Sequence, residues 1–187
     1  MNKYQKYKSL INRDLYRYGG GKWRPLLEPG EIKYLRVLRR LQTKAYWFGK
    51  FGRKYYMLKM ERLKRKYHIQ IPPEVKIGSG FYIGHTGRII IHPKAVIGNN
   101  CNIATGVTIG RDNRGKRKGY PTIGDRVWIG TNSVIVGNIH IGDDVLIAPL
   151  TFVNFDVPSH SVVIGNPATV HLKENATDGY INNIVEV

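Results

Sequence analysis

Between Ile71 and Val153 an aliphatic residue recurs every six positions, and polar residues fill most of the space between. Ile71, Ile77, Ile83 and Ile89 form one register, and Ile91, Ile97, Ile103 and Ile109 a second, displaced by two residues. Ile123, Ile129, Ile135, Ile141, Ile147 and Val153 form a third. Six residues match neither the 3.6-residue period of a helix nor the two-residue period of a lone strand. They match a parallel β-helix built from hexapeptide repeats, each repeat one flat side of a coil. Glycine follows the ladder residue at Gly78, Gly84, Gly98, Gly110, Gly124, Gly130 and Gly142, where a tight corner favours a residue without Cβ. Each buried isoleucine contributes roughly 1.5–3 kcal/mol, so this ladder can supply the core.

Upstream the period changes to that of helices. Tyr4, Tyr7, Leu10, Ile11, Leu15 and Tyr18 predict an amphipathic helix over 3–18, with Lys3, Lys6, Arg13 and Arg17 on other faces. Gly19-Gly20-Gly21 ends it, and Pro25 and Pro29 break the following loop, Lys22 to Gly30. A second helix is expected from Glu31 to about Lys50, with Ile32, Leu35, Leu38, Leu41 and Ala45 as its apolar stripe and Arg36, Arg39, Arg40 and Lys44 as its basic one. Gly49 and Gly52 mark a break. A third helix, 53–67, sets Tyr56, Met57, Met60 and Leu63 against Lys59, Arg62, Lys64, Arg65 and Lys66. Pro72-Pro73 separates helices from coils.

The repeat is interrupted twice. The displacement between Ile89 and Ile91 needs two extra residues at a corner near His85 to Arg88. Such a bulge lifts side chains out of the coil. The second interruption, between Ile109 and Ile123, contains the stretch Arg111 to Pro121, which has no aliphatic residue and must leave the coil as an exposed loop. Loops on a rigid scaffold often carry function. The chain therefore divides into a basic, aromatic helical region (1–68), a β-helix (69–170) with a protruding loop (111–121), and a polar tail (171–187), expected to act as an arm on a neighbour.

Charge sharpens this division. Of the 187 residues, 30 are Lys or Arg and 13 Asp or Glu. Residues 1–70 hold 20 of the cations, 4 of the acids and 13 of the 20 aromatics. Three readings fit: a helical cap with solvated basic faces, a module lying on an anionic membrane surface, or a nucleic-acid surface. No nucleic-acid-binding motif is evident, so no nucleic acid is expected. Five of the ten cations outside this region, Arg111, Arg114, Lys116, Arg117 and Lys118, crowd into the loop, as an anion site would require. Cys101 is the only cysteine, reads as a small buried residue, and cannot form an internal disulfide. Met1 to Leu10 has no apolar core of a secretory leader, and no apolar run is long enough to span a bilayer. A cytoplasmic location is expected, with peripheral association on the inner face of the plasma membrane.

Gly84-His85-Thr86-Gly87, Gly106-Val107-Thr108-Ile109-Gly110, Gly119-Tyr120-Pro121, Gly137-Asn138-Ile139 and Gly165-Asn166-Pro167-Ala168 resemble the left-handed β-helix acyltransferases of the hexapeptide-repeat superfamily. The serine acetyltransferase branch is the nearest likeness, over about residues 69–171. Asp14-Leu15-Tyr16-Arg17-Tyr18 and Gly179-Tyr180-Ile181-Asn182-Asn183 look more like relatives in surface-polysaccharide biosynthesis. The resemblance implies a mainly β, left-handed parallel β-helix with an N-terminal α-helical region. It also implies a homotrimer with sites between subunits, acetyl-CoA along the coils and no metal. His85 falls on the histidine general base, and Gln70 on the position of its acid partner. Backbone N–H groups near Gly110 would meet the oxyanion.

The likeness also has gaps. Gly84 stands where serine acetyltransferases carry an acid, Tyr120 where they carry a second histidine, and Gly119 where an arginine grips the serine carboxylate. Gly84, Tyr120 and His92 are therefore expected to face a different hydroxyl acceptor, although His92 also suits a purely structural corner. Thr131, Pro149 and Asn154 match coenzyme-contacting positions, and Arg111, Lys116 or Lys173 would hold the coenzyme phosphates. No set of three histidines has the spacing of a zinc site. The expected activity is O-acetylation of a sugar hydroxyl in a surface or capsular polysaccharide precursor. The alternatives are O-acetylation of L-serine and a non-catalytic trimeric scaffold.

Overall fold

The computed structural model describes residues 1–20 and 27–186. Gly21, Lys22, Trp23 and Pro25, assigned above to a glycine stop and a loop, lie outside the described residues. Helix α1 spans Lys3–Tyr16, α2 Gly30–Gln42 and α3 Gly49–Tyr67. The break between α2 and α3 comes earlier than expected. The chain leaves α2 at Thr43 and turns through Lys44 and Phe48, both with positive φ, so that Gly49 and Gly52 lie inside α3. Tyr7, Ile11, Ile32, Leu35, Leu38, Leu41, Ala45 and Met60 are buried as their spacing predicts.

Five coils follow. The first holds β1 (Ile69–Gln70), β2 (Lys76–Ile77) and β3 (Tyr82–Ile83); the second β4 (Ile89–Ile91), β5 (Val96–Ile97) and β6 (Asn102–Ile103). The third holds β7 (Thr108–Gly110), β8 (Thr122–Ile123) and β9 (Val127–Ile129), and the fourth β10 (Val134–Val136), β11 (His140–Ile141) and β12 (Val145–Ile147). The last comprises β13 (Phe152–Val153) and β14 (Ser161–Gly165), after which β15 (Ala168–Leu172) turns back antiparallel on β14. The strands stack into three sheets, β1-β4-β7-β10-β13, β2-β5-β8-β11 and β3-β6-β9-β12-β14-β15, parallel throughout except for the β14–β15 pair. The fold is a parallel β-solenoid. Its ladder residues are buried, apart from half-buried Ile77 in the first coil.

The register explains both interruptions. Ile69 pairs with Ile89, while Ile77 pairs with Ile97 and Ile83 with Ile103. The two extra residues therefore lie between β3 and β4. Ile89 and Ile91 both point inward because Ile90 between them points out. Ile97 pairs with Ile123 across the long insert. The last coil is shorter instead: Ile147 pairs with Val163. One corner, between the second and third sheets, is climbed by side chains bonding backbone one coil below. The N–H groups of Ser79, Asn99, Asp125 and Asp143 donate in turn to Asn99, Asp125, Asp143 and Ser159.

An open solenoid end exposes unpaired backbone, and the helices close this one strand by strand. The Tyr34 hydroxyl accepts from Ile71 N–H (3.0 Å) and donates to its carbonyl (3.1 Å). The Tyr18 hydroxyl does the same at Ile83, at 2.9 and 3.0 Å. Arg39 donates to the carbonyls of Ile77 and Gly78. Arg39 and Arg17, expected on basic faces in water, are 1% and 5% exposed. Their partners, Asp14 for Arg39 and Asn102 for Arg17, are distant in sequence and invisible to helical periodicity.

The tail corrects another expectation: it packs on its own solenoid. Asp144 accepts from the N–H of Ala176 and from both N–H and hydroxyl of Thr177. Asn102 donates to Tyr180 O, and Asn100 exchanges two hydrogen bonds with the backbone of Val185. Arg17 donates to Asn182 O at 2.9 Å. The motifs Asp14–Tyr18 and Gly179–Asn183, far apart in sequence, thus meet on one side of the first coils.

Candidate active site

His85 and Thr86 occupy the corner between β3 and β4, exposed on the two-residue bulge. The bulge is held from below by the helical region. Gly87 N–H donates to Tyr67 O (2.9 Å) and Ile89 N–H to His68 O (3.1 Å). A Cβ at Gly30 would lie 2.5 Å from the Tyr67 ring and 2.9 Å from the Thr86 methyl. Gly87 has φ +139°, and a Cβ there would fall 2.1 Å from Thr105 Oγ1. The bulge can therefore approach both the helices and the next coil only with glycines at these positions.

Thr131 and Pro149 lie at the same corner, two and three coils along from His85, in a column marked by the ladder bonds of Gly84, Ala104, Gly130 and Ala148. At about 4.8 Å per coil, they trace a line about 10 and 14 Å from the bulge, suited to an extended ligand. Gln70 is exposed on β1, in register with Ile90. Among the described residues, no hydrogen bond joins it to His85.

His92, Arg111 and Tyr120 form a second column at the opposite edge of the first sheet. His92 follows β4, and Arg111 follows Gly110 at the end of β7, in register with Val136. Tyr120 precedes β8. The His92 and Tyr120 rings stack, with centroids 4.4 Å apart and planes at 30°. Lys94 and Arg111 approach the Tyr120 ring at 5.4 and 5.6 Å. The slight burial of the His92 imidazole, together with Arg111 and Lys94, lowers its pKa below the ordinary histidine value. His92 Nδ1 accepts from Lys94 N–H (3.2 Å).

The long loop leaves the coil as a hairpin in which Asp112 and Gly119 exchange two backbone hydrogen bonds. It then folds back: Arg117 O accepts from Asn138 N–H at 2.8 Å, and the Arg117 guanidinium donates to Asn154 O. Asn154 is thereby tied to the loop, while Arg111, Arg114, Lys116 and Lys118 are exposed. Lys173 stands apart from both columns. The reversal into β15 carries it to the far corner, where its N–H donates to His160 O (2.8 Å), so it does not join the loop cations within one chain. Among the described residues no cluster of His, Cys, Asp or Glu has the make-up of a metal site.

The two columns are separated by the width of one sheet, about 10 Å for a three-residue strand. The two columns therefore lie along opposite edges of the same sheet. The six-residue repeats, three to a coil, with a histidine lifted out at a register slip, make this chain a hexapeptide-repeat β-solenoid. The family model described as bacterial transferase hexapeptide (six repeats) matches residues 120–154.

Serine acetyltransferase 2 of Arabidopsis thaliana is 34% identical over 72% of this chain and 46% of its own length. The Helicobacter pylori serine acetyltransferase is 37% identical over 57% of this chain and 62% of its own. The chain thus spans about half to three fifths of these two relatives. Among solved structures, the serine acetyltransferase of Neisseria gonorrhoeae superposes with a TM-score of 0.74 at 29% identity, covering 91% of this chain and 68% of that one. The soybean serine acetyltransferase complexed with serine gives 0.74 at 27%, covering 89% and 70%.

Proposed function

We propose that this protein transfers an acetyl group from acetyl-CoA to a hydroxyl, working at the boundary between copies of itself, with L-serine as the acceptor that the relatives favour. The observation that carries the reading is the exposed His85 on a rigid bulge, in line with Thr131 and Pro149 along one edge. A neutral imidazole there takes the hydroxyl proton as the oxygen attacks the thioester carbonyl. The C–O bond forms, the C–S bond breaks, and the proton passes to the departing coenzyme thiolate. The second column of a neighbouring copy, with Arg111, Lys116 and Tyr120, would close the cleft; a trimer supplies three such boundaries.

A sugar hydroxyl in a polysaccharide precursor is the second reading. It is favoured by the stacked His92–Tyr120 pair flanked by Lys94 and Arg111. Such a surface suits the flat face of a sugar bearing an anionic group, and Gly119 and Tyr120 offer no guanidinium for an amino-acid carboxylate. Release of coenzyme thiol from acetyl-CoA in the presence of L-serine or of candidate sugars decides between them. Turnover on serine at least equal to that on sugars upholds the first reading, and turnover on sugars alone the second. No turnover, with no rise in melting temperature on adding acetyl-CoA, would leave a non-catalytic scaffold.

A further inference from the structure

Five large apolar side chains at one end of the helical region stand mostly in solvent. Trp47, Phe48, Phe51, Tyr55 and Leu58 are 74, 83, 82, 59 and 58% exposed. Phe48, Phe51, Tyr55 and Leu58 recur at the three- and four-residue spacing of one helix stripe. The opposite stripe of α3, with Tyr56, Met57, Met60 and Leu63, already packs into the core. The helix is apolar on two faces and the fold uses only one. Trp47 joins two shallow clefts, one shared with Met1, Tyr4 and Ala45, the other with Phe48, Phe51 and Tyr55.

Charge surrounds this patch. From Lys44 to Met60 five exposed cations, Lys44, Lys50, Arg53, Lys54 and Lys59, occur with no Asp or Glu among them. Lys54 and Lys59 flank the stripe, and it continues toward the end of α3 as Arg62, Arg65 and Lys66, all exposed.

We propose that this face docks on the surface of an anionic lipid bilayer, with Trp47, Phe48 and Phe51 at the headgroup boundary and the flanking cations over acidic headgroups. Rings that protrude from one side of a basic helix gain free energy by entering a soft apolar phase, and each cation near an anionic leaflet adds to the attraction. A second copy of the chain is the poorer occupant. Residues 1–70 hold 20 Lys and Arg against 4 Asp and Glu, so two such faces would repel. A nucleic acid would pair the cations but leave the protruding rings in water. The proposal is independent of the acetyl-transfer reading.

The test is co-sedimentation of the full chain with vesicles of phosphatidylcholine alone and of phosphatidylcholine mixed with phosphatidylglycerol, at rising salt. The chain is expected to bind the anionic vesicles and to be released as salt screens the charges. Trp47→Ser with Phe51→Ser should weaken binding about tenfold, with circular dichroism and melting temperature unchanged because both side chains are outside the core. Lys54→Glu with Lys59→Glu should remove the preference for anionic lipid. Four results would each overturn the proposal: no binding to anionic vesicles at low salt, equal binding to neutral vesicles, undiminished binding by the aromatic variant, or loss of self-association by that variant.

Discussion

The carboxylate of Asp14 and the guanidinium of Arg39 meet at 2.7 Å with 0% and 1% of their side chains exposed. Burial pushes the Asp14 carboxyl above its ordinary range, opposed by Arg39 and by the N–H groups of Phe81 and Gly80. The pair ties α1 and α2 to the first coil, because Arg39 also serves Ile77 and Gly78 while Asp14 accepts from Phe81 N–H. Arg39→Met would strand the carboxylate and two carbonyls. A loss of about 3–5 kcal/mol is expected in urea denaturation. Asp14→Leu added to Arg39→Met should recover only part of it, since the two carbonyls stay unpaired.

His85→Ala should lower acetyl transfer by about 10²–10⁴-fold with no change in melting temperature, because the ring is outside the core. Gln70→Ala should cost under about tenfold, since no hydrogen bond links it to the imidazole; general acid–base effects of full size need that reach. Steady-state rates of both variants, measured with each acceptor class, check the two expectations together.

Gly87→Ala should damage the bulge without unfolding the solenoid. At φ +139° an L side chain is strained, and its Cβ would overlap Thr105 Oγ1. The expected result is a loss of about 1–3 kcal/mol in stability together with a fall in acetyl transfer. Adding Thr105→Ala should relieve the clash but not the backbone strain, so recovery would be partial.

Acid should detach the tail before the core melts. Burial disfavours the Asp144 carboxylate, but the Thr177 hydroxyl, His160 and the N–H groups of Thr177 and Ala176 outweigh it and hold the carboxyl below its ordinary value of 3.8. A carboxyl depressed in the folded state contributes stability above that ordinary value, and the contribution is lost as pH falls through the folded value. Trp128 reports the change, since its ring lies 5.0 Å from that of Tyr180 in the tail. Its fluorescence should shift at acid pH in the wild type and be already shifted near neutrality in Asp144→Asn.

Cys101 should be inert while the protein is folded. Its thiol is buried against Gly124 O (3.1 Å), and burial pushes its pKa up to about 12. Thiolate is the reactive form, so an aromatic disulfide reagent should modify it only in denaturant.

The solenoid was legible because each coil side buries one aliphatic residue, and that regularity survives in a single sequence. The slip at His85 was legible for the same reason: two extra residues move every later ladder residue. The helix stripes were read correctly where burial is apolar. They failed at Arg17 and Arg39, because a buried cation looks like a surface one until its partner is known, and Asp14 and Asn102 are 25 and 85 residues away. In the sequence Tyr18 reads only as part of an apolar face, and Tyr34 falls outside the apolar stripe of its helix. Their hydroxyls matter because a solenoid needs its first coil closed, and no local pattern marks that. Lys173 was grouped with the loop cations because the reversal at β15 leaves no trace in the hexapeptide period.

Closing the first coil fixes the length of the column. Stacked coils with bare rims can in principle add to one another without limit, as fibrils do. Here Tyr34, Arg39 and Tyr18 occupy one rim with side chains that no incoming strand can match. The column therefore ends where the helices begin, and no further coil can be added by strand pairing at that rim.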